Sequence, residues 1–133
     1  MRTAVATGRF THLVLSGLVL TVAGCSGDPI HDQWEERKSL PSCGRVELAP
    51  LESLEQDAPT SVECLRAALR GGQGAELEVR VTTPEGDPVV KYHRVLPAGT
   101  TEVYVDSTKD AFGDQAWSFT ECASPESALD ANC

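Results

Sequence analysis

From Ala75 the chain alternates strictly. In "AELEVRVTT", Leu77, Val79 and Val81 fall on one side, and Glu76, Glu78 and Arg80 on the other. A period of two is the period of a β-strand, so this segment belongs to a sheet with one apolar face to bury. Three more strands follow at hairpin spacing: "PVVKYHRVL" after the turn "PEGD", "TEVYVD" after "PAGT", and "QAWSFTEC" after "DSTKDAFGDQ". Each carries β-branched or aromatic residues, among them Val90 and Tyr92, Val103 and Val105, Trp117 and Phe119. Upstream, "RVELA" places Val46 and Leu48 on one face of a short strand, and "PLESLEQDAP" reads as a loop. Between them and Ala75, "PTSVECLRAALRGG" has helical signals. Pro59 stands near the start, Thr60 precedes Glu63 by three as a capping box, and Gly71 and Gly72 form the stop. At 100° per residue, Val62, Leu65 and Leu69 share a stripe. The expected fold is α+β: a small four- to five-stranded antiparallel meander with one helix packed on one face, in the order β-α-β-β-β-β.

The first 24 residues have a different chemistry. Arg2 and Arg9 are positive, "LVLSGLVLTVAG" from Leu13 to Gly24 is apolar, and Cys25 follows. That order is a signal peptide, too short in its apolar run for a membrane span. Its end, "VAGC", resembles the lipobox of bacterial lipoproteins, in which small residues fit the processing peptidase and the cysteine thiol receives a diacylglycerol. The resemblance implies that residues 1–24 are removed and that Cys25 becomes the acylated first residue. The partner there is membrane lipid, and the address is the cell envelope, on the outer side of the cytoplasmic membrane. Two further acyl chains, each CH₂ contributing about 0.8 kcal/mol of burial, would make attachment stable.

The whole chain has 11 basic and 20 acidic residues, a formal charge of -9. Loss of the two leader arginines leaves 9 basic against 20 acidic residues, a balance of -11. Nucleic acid is therefore excluded as a partner, because phosphates are bound by clustered Lys and Arg. Anionic headgroups repel such a domain too, so an anchor and not surface charge must hold it at a membrane.

Residues 25–42 are expected as the lipidated cysteine and a flexible tether. "SGDPIHDQWEERKSLPS" mixes Gly, Pro and charge around Trp34, and a short helix over Gln33 to Lys38 would find nothing to dock on. Residues 43–133 then form the single small domain that this length allows. It contains Cys43, Cys64, Cys122 and Cys133, an even number that predicts two disulfides in an exported chain. Spacings of 21, 58 and 11 with no CxxC pair match no usual zinc pattern. Three connectivities are open; Cys43 with Cys64 and Cys122 with Cys133 is preferred because both close short loops.

In a meander, successive turns alternate between the ends of the sheet. "EGDP" and "DSTKDAFGD" should therefore lie side by side, gathering Glu85, Asp87, Asp106, Asp110 and Asp114 at one rim with Thr108 and Lys109. These two motifs and their separation resemble a family of short uncharacterised bacterial lipoproteins with a domain of unknown function, marked by an E-G-D-P turn and a later D-x-T-x-D-x-F-G run. The likeness spans about Ala75 to Cys122. Glu85, Gly86, Asp87, Pro88, Asp106, Thr108, Asp110, Phe112 and Gly113 match, whereas Lys109 stands where an arginine is usual and Pro84 stiffens the first turn. The resemblance implies a fold and an envelope address, and no reaction.

Asp106, Thr108 and Asp110 are spaced like the first half of a calcium loop, but Ala111 and Trp117 occupy the positions of its glycine and its bidentate Glu. The rim residues then serve as turn architecture, with Asp106 and Thr108 bonding loop backbone and Gly113 supplying a positive φ. Catalysis finds little footing. His12 lies in the leader, His31 in the tether, and His93 in mid-strand, and there is no P-loop, GxGxxG or HExxH. No metal or cofactor is called for, and the expected function is non-catalytic: a lipid-anchored envelope protein whose rim binds an envelope protein or ligand. A cation or small-ligand sensor at the acidic rim and an accessory hydrolase are the alternatives. Exposed aromatics on an open sheet face, such as Tyr104, would mark a protein partner, and a deep pocket around paired carboxylates, such as Asp87 with Asp110, would mark an enzyme.

Overall fold

In chain order the computed structural model contains α1 (Pro29–Glu36), β1 (Ser42–Leu48), α2 (Leu54–Asp57), α3 (Pro59–Arg70), β2 (Ala75–Thr82), β3 (Pro88–Val95), β4 (Thr101–Asp106) and β5 (Trp117–Glu121). It describes residues 27–122 and 133; the leader and the acylation candidate Cys25 lie outside the described residues. The class is α+β, as the alternation requires.

The five strands form one sheet in the order β1-β2-β3-β4-β5. From β2 to β5 every neighbour is antiparallel, but β1 pairs with β2 in parallel, with Val46 beside Val79 and Leu48 beside Val81. The all-antiparallel expectation is thus corrected at the first strand, and the sheet is mixed. The reason is the intervening helix. A strand that returns through a helix lying across the sheet re-enters at the end where it began, and that makes a parallel pair.

The apolar side of β2 is covered as predicted. Val62 and Leu65 of α3 are 1% exposed and pack with Leu48, Leu54, Leu77, Val79 and Val95. The single-helix expectation is corrected on this side by α2, which forms within the presumed loop. Ser53 caps it, accepting a hydrogen bond from Gln56 N at 3.3 Å, while its own N–H donates to Asp57 Oδ2 at 2.8 Å. The capping box at Thr60 and Glu63 is also corrected. Pro59 is the first helical residue, so the N-cap falls on Ala58 and not on Thr60, and no side chain caps α3 because alanine carries no acceptor.

Both preferred disulfides are present. Cys43–Cys64 ties β1 to α3 with a Cα–Cα distance of 5.7 Å, and Cys122–Cys133 closes the end of the chain at 4.8 Å. The first closes a loop of 21 residues, for which chain entropy predicts about 3 kcal/mol of stabilisation. Cys122 and Cys133 pack against Val103 and Val105, on the half of the face that α3 leaves uncovered.

The opposite face holds the largest departure. Residues 29–36, expected within a tether with nothing to dock on, form α1 and lie against the sheet. Trp34 is 6% exposed; its ring stacks on Tyr92 at a centroid distance of 4.0 Å and leans on Tyr104 at 5.2 Å and Trp117 at 5.9 Å. The Arg37 guanidinium covers its other side, 3.0 Å from the ring centroid. The sheet is therefore sandwiched between α2 and α3 on one face and α1 on the other. Among the described residues, no helix is long and apolar enough to cross a membrane.

Candidate functional site

The turn after β2 and the loop after β4 do meet at one end of the sheet. Asp87 Oδ2 accepts a hydrogen bond from Ala111 N at 2.9 Å, linking residues 83–87 to residues 107–116. Asp106 Oδ1 accepts from Thr108 N at 3.0 Å and from Thr108 Oγ1 at 2.6 Å. Asp110 Oδ1 accepts from Phe112 N and Gly113 N, both at 3.1 Å. Three of the rim carboxylates are thus engaged with local donors, while Glu85, Lys109 and Asp114 are exposed. Among the described residues no group of three His, Cys, Asp or Glu side chains is arranged to hold a metal ion. The geometry is that of short polar side chains holding backbone turns.

Gly113 has another role than the one expected. It is not at positive φ; that conformation falls to Gly86, at 98°, and to Gln115, at 51°. What Gly113 provides is room, since a Cβ there would sit 2.6 Å from Asp110 Oδ2. The close approach lets Asp110 bond two successive N–H groups.

Three features on the α1 face of the sheet were missed from sequence. First, Asp28 caps α1, accepting from Ile30 N at 2.9 Å and His31 N at 3.4 Å through Oδ1, while its Oδ2 accepts from Trp117 N at 2.9 Å. One carboxylate therefore starts the helix and pins it to β5. The dipeptide Asp28-Pro29 was a legible helix-start signal; the bond to β5 was not. Second, Arg94 is 4% exposed beneath α1, paired with Glu76 at 3.3 Å and with Glu102, and it donates to Lys38 O at 2.7 Å. Third, Tyr104 is 2% exposed under α1, which corrects the expectation of an open aromatic face.

The N–H of Trp117 holds the Asp28 carboxyl below the usual carboxylate range, overcoming the desolvation that raises it. A depressed folded-state pKa means stability that is complete above the ordinary value near 3.8 and is lost as pH falls through the folded value. Glu78 adds to the same acid-side loss. Desolvation raises its pKa, but the bonds from Arg45 and Arg80 outweigh it and bring it below 4.5. We therefore expect Asp28→Asn to be less stable than the wild type at neutral pH, with the gap narrowing as pH drops below about 4. Urea midpoints taken at several pH values check this; a pH-independent gap would show that the Asp28 charge contributes nothing.

On the α2 side a groove of about 370 Å³ runs between α2 and the sheet, with Leu48, Leu54, Val79 and Val81 on its walls and Lys91 and His93 across from α2. Its acids have other duties. Glu52 Oε2 accepts from Ala49 N at 2.7 Å, and Glu55 pairs with Arg66. This pocket does not include Asp87 or Asp110, the carboxylate pair named for hydrolase chemistry.

Comparison of the chain with protein-family models, with curated proteins and with solved structures gives no match.

Proposed function

We propose that this chain is a non-catalytic, lipid-anchored protein of the cell envelope, held on the outer side of the cytoplasmic membrane through acylated Cys25, and that its loop rim binds another envelope component. The observation that carries the reading is one of chain length. Cys25 precedes Asp28 by three residues, and Asp28 is bonded into the sheet through Trp117 N. Three residues reach at most about 11 Å. An acyl group on Cys25 would therefore seat a rigid domain directly at the lipid surface. Two disulfides in a domain of this size are in keeping with an oxidising compartment outside the cytoplasm.

The cation reading draws no support from the rim, where Asp87, Asp106 and Asp110 already accept hydrogen bonds from the loops. Neither does the hydrolase reading, whose carboxylate pair lines no described pocket. The wild-type protein is expected to stay with the membrane pellet through a carbonate wash, and Cys25→Ser to move to the supernatant. Retention of the serine variant in the pellet would refute the anchor.

A further inference from the structure

Among the described residues, the two exposed large hydrophobics are Leu51, fully open to solvent, and Phe112, 79% exposed. Both stand at the same end of the sheet. Leu51 follows β1, whose last residue Leu48 lies beside Val81 near the end of β2. Phe112 follows β4, whose last residue Asp106 lies between Val90 and Trp117. The turn after β2 joins them there through Asp87 and Ala111. Across the sheet, β1 and β4 are three strand spacings apart, roughly 14 Å.

Each residue is displayed at a cost. Leu51 holds a φ of 75°, a left-handed conformation that a γ-branched side chain rarely takes, and it leaves its whole surface in water. Phe112 is set on the turn built by Asp110, whose Oδ1 holds the Phe112 and Gly113 N–H groups. Isolated apolar residues on a surface need no explanation. Two prominent ones, on separate loops at one end of a small acidic domain, suggest an apolar phase facing that end.

The same end receives the chain from Cys25. The start of α1 is bonded to Trp117 at the first residue of β5, and the helix runs away from there toward Glu76, which Arg37 meets at 3.6 Å. We infer that the rim end of the sheet is the face that lies on the bilayer, with Leu51 and Phe112 inserted at the headgroup boundary on either side of the turn between β2 and β3. This rests on the anchoring proposed above and names the envelope component met by the rim as the lipid surface itself. Glu85, Asp110 and Asp114 stand among these loops, so the surface that suits them is zwitterionic, and anionic lipid opposes the contact.

The test uses full-length protein processed in cells, carrying photo-reactive benzoyl-phenylalanine at position 51, 112 or 98. Position 98 lies in the turn between β3 and β4, at the opposite end of the sheet. The protein is first carried through a carbonate wash, then reconstituted in phosphatidylcholine vesicles and irradiated. Lipid adducts at 51 and 112 with none at 98 are expected, and they should diminish when phosphatidylglycerol replaces part of the phosphatidylcholine at low salt. Carbonate-resistant protein that forms no lipid adduct at 51 or 112, or forms as much at 98, overturns the orientation and leaves the anchor standing. Release by carbonate overturns the anchor and the orientation with it.

Discussion

Trp34→Ala should remove about 3–5 kcal/mol of stability, the usual cost of truncating a buried tryptophan. The ring occupies the space between α1 and three strands, touching Tyr92, Tyr104 and Trp117 and lying under Arg37. With the ring gone, α1 keeps its Asp28 cap, but a helix of eight residues is too short to hold itself without packing. Urea unfolding should show a lower midpoint. If α1 leaves the sheet altogether, a smaller dependence on denaturant should accompany it, because less surface remains to be exposed. An unchanged midpoint would mean that residues 29–36 do not contribute to the folded domain.

Arg94→Met is the second large effect. It should cost about 3–5 kcal/mol, because it strands the Glu102 carboxylate and takes one of two partners from Glu76 on a face covered by α1. Glu102 is 8% exposed and would lose its partner guanidinium, Glu76 would keep Arg37 alone, and Lys38 O would lose its donor. The charge itself is what makes the loss large. Adding Glu76→Gln and Glu102→Leu to Arg94→Met should therefore recover much of the stability, since an apolar replacement of a buried ion group is often nearly neutral. A set of denaturation midpoints for the single and combined variants decides the matter. Equal destabilisation in both would show that the bond to Lys38 O, and not charge pairing, carries the effect.

Both variants act on the face that sequence reasoning left bare, which locates the limit of that reasoning. The strands were legible because alternation is a local property: each of β2 to β5 shows its period within its own few residues. The rim was legible for the same reason. Once the hairpins are placed, the turns must alternate between ends, so "EGDP" and "DSTKDAFGD" had to be neighbours. The disulfide count followed from an even number of cysteines in an exported chain, and short loop closure favoured the right pairs.

What sequence patterns alone could not supply depends on residues far apart in the chain. Tyr92, Tyr104 and Trp117 come from three strands and form one aromatic floor only after register is set. Trp34 is then buried because that floor exists. Arg94 reaches Lys38 across 56 positions, and the Trp117 N–H meets Asp28 across 89. The common end occupied by Leu51 and Phe112 likewise emerges only when β1 turns out to run parallel to β2. Local sequence determined the strands, the main helix and the turns, since these depend on backbone preference and on neighbours within a few residues. The tertiary structure alone decided which face is covered, which charges are buried and which end carries the apolar side chains, because burial belongs to the packed assembly and not to any segment of it.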